Sequence, residues 1–335
     1  MRQNNHKKPK KILTWHIHGN YLYYLVQSPH EFYLPVKPDR TQGYGGRAGN
    51  FPWPENVHEV PAEDVRDLSL DIILYQSRRN YLEDQFEILT ERQRSLPRIY
   101  LEHDPPREHP TDTRHIVDDP NTLLVHVTHF NELMWDSGDT PTMVIEHGVL
   151  IPEGVRYTGE IERGLVVVNG LPTRGRRLGR DVFEQMREQV PLDLVGLESQ
   201  EIGGLGPVPN DQLAAFEARY RLFFNPIRYT SLGLAVCEAM MVGMPIIGLA
   251  TTEMVTAVEN AVSGYVDTNL DRLVEIIQQL LRDPAEARRL GDGAREQAQE
   301  RFNIQRFASD WSKAFAIVTS NKLTPNTEAV LTLNS

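Results

Sequence analysis

The chain has 335 residues, 35 Lys and Arg against 46 Asp and Glu for a net charge of −11, 40% apolar residues and 24% charged ones. That length predicts two domains of roughly 150 residues each, and the balance excludes a disordered or fibrous chain. Both halves are acidic, with 16 basic against 22 acidic residues up to residue 150 and 19 against 24 beyond it, so no basic face stands out and no nucleic acid is expected to bind. Cys237 is the sole cysteine, which excludes an intrachain disulfide and a cysteine-rich metal site and suits the reducing cytoplasm. No apolar run reaches the length that spans a bilayer.

Residues 1–11 read as a flexible basic arm carrying Arg2, Lys7, Lys8, Lys10 and Lys11, with at most peripheral contact to a membrane. Ile12 to Ile17 reads as a buried strand ending at His18-Gly19-Asn20, with a helix from Tyr21 to Gln27. Pro35 to Pro54 reads as a long surface loop. Further strands are expected at Asp71–Tyr75, Arg98–Leu101, Leu123–Val127 and Thr142–Ile145, with helices at about 80–93 and 130–136. The segment Ile151 to Arg163 reads as the hinge. Beyond it strands are expected at Leu165–Val168, Leu192–Val195, Leu222–Phe224 and Ile246–Leu249. Helices start at Arg180, Asp211 and Leu232, and more helix runs to about Ala316. Alternation of this kind predicts an α/β fold with two doubly wound, Rossmann-like domains facing a cleft, 12–155 and 156–320, and a loose tail over 321–335.

The segment Phe224 to Gly248 carries the strongest chemical signal. Gly233 lets a ligand approach the backbone, and the helix that opens at Leu234 offers free N–H groups and a positive dipole end to an anion. Glu238 stands alone among Leu234, Ala235, Val236, Cys237, Ala239, Met240 and Met241. A carboxylate there needs a polar partner, and two vicinal sugar hydroxyls fit its two oxygens; a structural cap or an arginine pair is the alternative.

Residues 165–316 resemble the C-terminal nucleotide-sugar domain of family 4 retaining glycosyltransferases, which have the glycosyltransferase B fold. The resemblance rests on Gly233-Leu234 with Glu238, Gly243-Met244-Pro245, Glu259 to Val266, Leu281-Arg282-Asp283-Pro284, and Arg301-Phe302 before a last helix that in the family packs back on the N-terminal domain. It implies transfer of a sugar from a nucleoside diphosphate donor to a hydroxyl acceptor with retention, no metal, and a role in glycan or polysaccharide synthesis. It also implies that 12–155 is the acceptor-side domain and 156–320 the nucleotide-sugar domain, and that Glu238 holds the ribose. The departing phosphate then takes the acceptor's proton, so no protein nucleophile is needed. Two positions depart from the family: Thr230 stands eight residues before Glu238 where the family has Glu, and Thr256 replaces a second Glu at the sugar end, with Glu253 nearby as a substitute.

The family's diphosphate-neutralising residues fall in Val168 to Asp181. Asn169 and Gly170 lead into four arginines, of which Arg174 is the first choice and Arg177 the reserve, since a leaving diphosphate needs fixed positive charge. In the first half the resemblance places His18-Gly19 at the acceptor and His103 at the active site. Arg107 joins them as an acceptor-side candidate on the loop after a strand. Three histidines at 103, 109 and 115 tempt a metal assignment, but Pro105, Pro106 and Pro110 exclude a regular helix and the spacing fits no common zinc motif. The acceptor stays open among glycan, lipid-linked sugar and small molecule. Two rival functions share the scaffold: a non-catalytic sugar-nucleotide or glycan-binding protein, and a sugar-nucleotide epimerase.

Overall fold

The computed structural model describes residues 8–320. Most of the basic arm 1–11 and all of the tail 321–335 lie outside the described residues. Contacts divide the chain into two units, one comprising residues up to Ile145 with those from Gln305 onward, the other Glu146–Ile304.

The first unit runs β1 (Lys11–Thr14), α1 (Gly19–Leu25), β2 (Glu31–Val36), β3 (Val57–Pro61), β4 (Ile72–Tyr75), α2 (Gln85–Ile88), α3 (Glu91–Arg94), β5 (Arg98–Glu102), β6 (Thr122–His126), α4 (His129–Met134) and β7 (Thr142–Val144). Its seven strands form a parallel sheet in the order β3-β2-β1-β4-β5-β6-β7. Both faces are covered, so β4 and β6 are buried along their whole length, and Ile72–Tyr75 and Leu123–Val125 read as continuous runs rather than alternating ones. Leu13, Trp15, Ile73, Tyr75, Tyr100 and Leu124 make one side of its core.

Two features differ from the sequence reading. β2 and β3 were not expected. Pro35 lies inside β2 and Pro61 ends the edge strand β3, and short strands carrying proline give little signal. The single helix expected over 80–93 is instead a π turn at Asn80–Asp84 followed by α2 and α3. The break has a local cause: Thr90 caps a new helix, its Oγ1 accepting from the Gln93 N–H at 3.2 Å while Gln93 Oε1 accepts from the Thr90 N–H at 3.0 Å.

The second unit runs β8 (Ile161–Val167), α5 (Leu171–Arg174), α6 (Arg180–Arg187), β9 (Leu192–Val195), α7 (Asn210–Glu217), β10 (Tyr220–Asn225), α8 (Leu234–Val242), β11 (Ile246–Leu249), α9 (Met254–Ala257), β12 (Gly264–Asp267), α10 (Leu270–Arg282) and α11 (Pro284–Arg301). Its five parallel strands lie in the order β12-β11-β10-β8-β9. Asp283 separates α10 from α11 by accepting from the N–H groups of Ala285 and Glu286 at 3.1 and 3.0 Å, with Pro284 in the first turn. α11 presses on the end of α8 so closely that a Cβ at Gly291 would lie 2.1 Å from the Gly243 carbonyl oxygen.

The last helix, α12 (Ile304–Thr319), buries Phe307, Trp311 and Phe315 at a spacing of four residues. Its aromatic stripe meets α1 and β2: Phe307 packs edge-on to Tyr21 at 5.5 Å, Trp311 Nε1–H donates to Tyr21 Oη at 3.3 Å, and Phe315 lies 6.3 Å from Phe32. No helix among the described residues is long and apolar enough to cross a membrane.

Candidate functional site

In an open parallel sheet, ligands bind beyond the carboxyl ends of the strands where the winding order reverses. In the second unit that reversal falls between β8 and β10. The loop after β8 carries Asn169, Gly170, Arg174 and Arg177, and the loop after β10 carries Thr230 and Gly233 ahead of α8. The topology therefore brings the donor-side candidates of two separate sequence segments to one edge.

The two loops are fastened to each other. Backbone N–H groups of Arg228 and Tyr229 donate to the Arg177 carbonyl at 3.1 and 3.2 Å. The Arg228 guanidinium donates to Asp181 Oδ2 at 2.8 Å and to the Arg176 carbonyl at 2.9 Å, and this pairing holds the Asp181 carboxyl below its usual range. Gly179, at φ +81°, makes the approach possible, since a Cβ there would sit 1.9 Å from the Pro226 carbonyl oxygen. Thr251 Oγ1 donates to the Ile227 carbonyl at 3.1 Å, Thr252 Oγ1 to Ser231 O at 3.3 Å and His147 Nε2 to Leu232 O at 2.8 Å. The loop that leads into α8 is thus held from three directions.

At the start of α8 the backbone lies open. A Cβ on Gly233 would meet nothing within 4 Å, so crowding within the fold does not explain the glycine. Leu234 beside it is half-buried. One turn on, Glu238 is 6% exposed and is the only charged residue among the nine of the helix. On α7, Glu217 is fully buried, and neither of its oxygens has a hydrogen-bond partner. Burial first, and the Glu238 charge second, push its carboxyl well above the ordinary value.

The four arginines of the β8 loop divide by partner. Arg176 pairs with Asp181 at 2.5 Å and Arg180 with Glu184 at 2.9 Å. Arg177 is half-buried, and Arg174 is exposed without an ion pair among the described residues. Gly170 takes a left-handed conformation ahead of α5, and Asn169 Oδ1 accepts from the Leu197 N–H at 2.8 Å, tying the β8 loop to the β9 loop. Thr230 is half-buried. Glu253 is 3% exposed and turned to Arg301, whose guanidinium donates to it at 2.8 Å, to Glu146 at 2.9 Å and to the Thr256 carbonyl at 2.7 Å. Thr256 Oγ1 also donates to Glu253 at 2.5 Å.

In the first unit the winding reverses between β1 and β4. There the loops after β1, β4 and β5 bring together His18, Gln76 and His103. The His18 and His103 rings lie 4.2 Å apart, and Tyr21 stands edge-on to His103 at 4.8 Å. Gly19 opens α1. Arg107 is exposed and paired with Asp104, the other end of the same turn. Of the remaining histidines, His115 is buried against Glu102 at 3.1 Å and His109 is exposed. His126 is fully buried with neither ring nitrogen partnered, and burial lowers its pKa to about 3. Around β1, α1 and β2 the aromatic side chains Trp15, Tyr21, Tyr24 and Phe32 are buried, while Tyr23 is half-buried and stacks on Phe51 at 5.1 Å. Gln76 was not anticipated; a polar residue placed directly after a buried strand is the signal that marks it.

Residues 197–297 match the family of glycosyl transferases group 1. A D-inositol 3-phosphate glycosyltransferase 1 from Catenulispora acidiphila is 34% identical over 94 residues, which is 28% of this chain and 22% of that protein; the chain thus spans about a fifth of that relative. Among solved structures, the sucrose-phosphate synthase of Thermosynechococcus elongatus superposes with a TM-score of 0.67 at 15% identity, over 94% of this chain and all of that one. Anabaena Alr3699/HepE in complex with UDP gives a TM-score of 0.63 at 14% identity, over 92% and 99%. At such identities the likeness speaks for the fold alone, the glycosyltransferase B fold, and the group 1 glycosyl transferase match belongs to residues 197–297.

Proposed function

We propose that the protein transfers a sugar from a nucleoside diphosphate donor to a hydroxyl acceptor, without a metal and with retention of configuration, in the synthesis of a glycan or polysaccharide. What supports this reading is that the loops after β8 and β10 meet at the reversal, the first carrying Arg174, exposed and without an ion pair among the described residues, and the second an open helix start at Gly233 ahead of α8, which carries Glu238. In this reading Glu238 accepts from the ribose hydroxyls, while Arg174 and the α8 N–H groups hold the diphosphate as it leaves. Arg177, half-buried on the same loop, adds positive charge. The bond from the sugar to the diphosphate breaks, the acceptor oxygen bonds from the same side, and its proton passes to the departing phosphate oxygen. His18 and His103 orient the acceptor hydroxyl. The likeness to a structure solved with UDP supports a nucleotide donor.

A second reading, binding of a nucleotide sugar without transfer, is favoured by one observation: Thr256, at the sugar end, has its hydroxyl engaged by Glu253 and Arg301. A thermal-shift screen against nucleotide sugars, followed by NMR of the products with a broad acceptor panel in EDTA, separates the two. Transfer yields a product with the donor's anomeric configuration. Stabilisation by one donor with neither transfer nor donor hydrolysis favours the binding module, and no response to any nucleotide sugar removes both.

A further inference from the structure

We propose that Gln76 is a positioning residue that decides which ring nitrogen of His103 carries the proton, an inference that rests on the reading of His103 as an acceptor-side group. Gln76 follows β4 and is 3% exposed. Its Nε2 donates twice, to Thr14 Oγ1 at 2.8 Å and to the Trp15 carbonyl at 3.0 Å. A carbonyl oxygen only accepts, so Trp15 fixes which end of the amide is the nitrogen. Oε1 must then face His103, whose Nε2 lies 3.3 Å away. An amide oxygen cannot donate, so His103 Nε2 is the donor, and in the neutral ring Nδ1 is the acceptor nitrogen.

The loop on either side of His103 is pinned as well. Glu102 Oε1 accepts from the Asp104 N–H at 2.9 Å, and Glu102 Oε2 lies 3.1 Å from His115 Nε2. His115 Nδ1 accepts from the Val117 N–H at 3.0 Å, so its Nε2 bears the proton and donates to Glu102. Trp135 Nε1–H donates to the Asp104 carbonyl at 2.8 Å. With the loop held and the amide oriented, the ring has one tautomer. A non-reacting hydroxyl of the acceptor that reaches Nδ1 donates its hydrogen there, which orients the acceptor and leaves the attacking hydroxyl's proton for the departing phosphate oxygen.

Long-range proton–nitrogen NMR of histidine-labelled protein, with the His103 signals assigned by His103→Ala, reads the tautomer directly. The expected result is a single Nε2–H form in the wild type and a mixture of both forms in Gln76→Leu, with the His115 signals unmoved. Transfer by Gln76→Leu should lose about tenfold or more in kcat with little change in the donor KM. An Nδ1–H form in the wild type, or an unchanged His103 tautomer in a folded Gln76→Leu, overturns the proposal. Should that variant not fold, the wild-type tautomer decides alone. Unimpaired transfer by His103→Ala would remove the role of His103 and leave the tautomer assignment standing, so the two failures are distinguishable.

Discussion

Replacing Glu217 by methionine should stabilise the second unit, and by more at pH 8 than at pH 4.5. The carboxyl is fully buried on α7, and no hydrogen bond to either oxygen offsets the loss of water. Its pKa in the fold is raised, by burial above all and by the Glu238 charge in addition. Below the unfolded value of 4.5 both states hold the proton, so ionisation takes nothing from stability. As pH rises through the window between 4.5 and the raised value, the unfolded chain releases the proton and the fold does not, and stability falls. An unsatisfied buried polar group costs about 1–3 kcal/mol. Methionine of similar volume removes that penalty together with its pH dependence. For a unit of this size about 2 kcal/mol corresponds to a melting shift of roughly 4–8 °C. Urea unfolding and calorimetry at the two pH values measure both quantities. Equal or lower stability of Glu217→Met at both would mean that the carboxyl is well solvated or partnered, and the reasoning would fail.

Three further outcomes follow from the same geometry. His126 has its pKa lowered to about 3 by burial, so its contribution is complete above 6.5 and is lost as pH falls through the window from 6.5 to 3. At 1.36 kcal/mol per pH unit, His126→Leu should remove up to about 4–5 kcal/mol of acid sensitivity, and an unchanged pH–stability curve would refute this. Arg301→Met leaves Glu253 buried without its cation and should cost about 3–5 kcal/mol in urea unfolding, most of it recovered by adding Glu253→Gln; no recovery would contradict the pairing. Gly233→Ala should change stability by less than about 1 kcal/mol, because the added methyl meets open space. It should nevertheless weaken nucleotide binding about tenfold or more, and unchanged affinity would place the ligand elsewhere.

Strands buried on both faces gave the fold away. Ile72 to Tyr75, Leu222 to Phe224 and Ile246 to Leu249 are apolar without interruption, and only a covered parallel sheet explains several such runs separated by helices. Pro35 interrupts β2, and the edge strand β3 carries half-buried His58 and Glu59, which erase the pattern. Glu238 stood out because a charge in an apolar helix needs a reason. Glu217 was silent, because Glu217 in Phe216-Glu217-Ala218 looks like any surface helix and only packing against α8 buries it. Pairing across long separations was equally hidden: Arg301 meets Glu146, and Arg228 meets Asp181, through folding alone. Arg174 and Arg177 lie too close in sequence for spacing to choose between them, whereas exposure and the absence of an ion pair among the described residues favour Arg174 at the diphosphate.

Isothermal titration of nucleoside diphosphates into the wild type and Glu238→Gln tests the donor assignment most directly. The expected result is that one diphosphate binds the wild type and that the variant, with an unchanged melting temperature, binds it about tenfold or more weakly, equivalent to at least about 1.4 kcal/mol. Binding of equal strength to both proteins, or binding of no diphosphate to either, would contradict it.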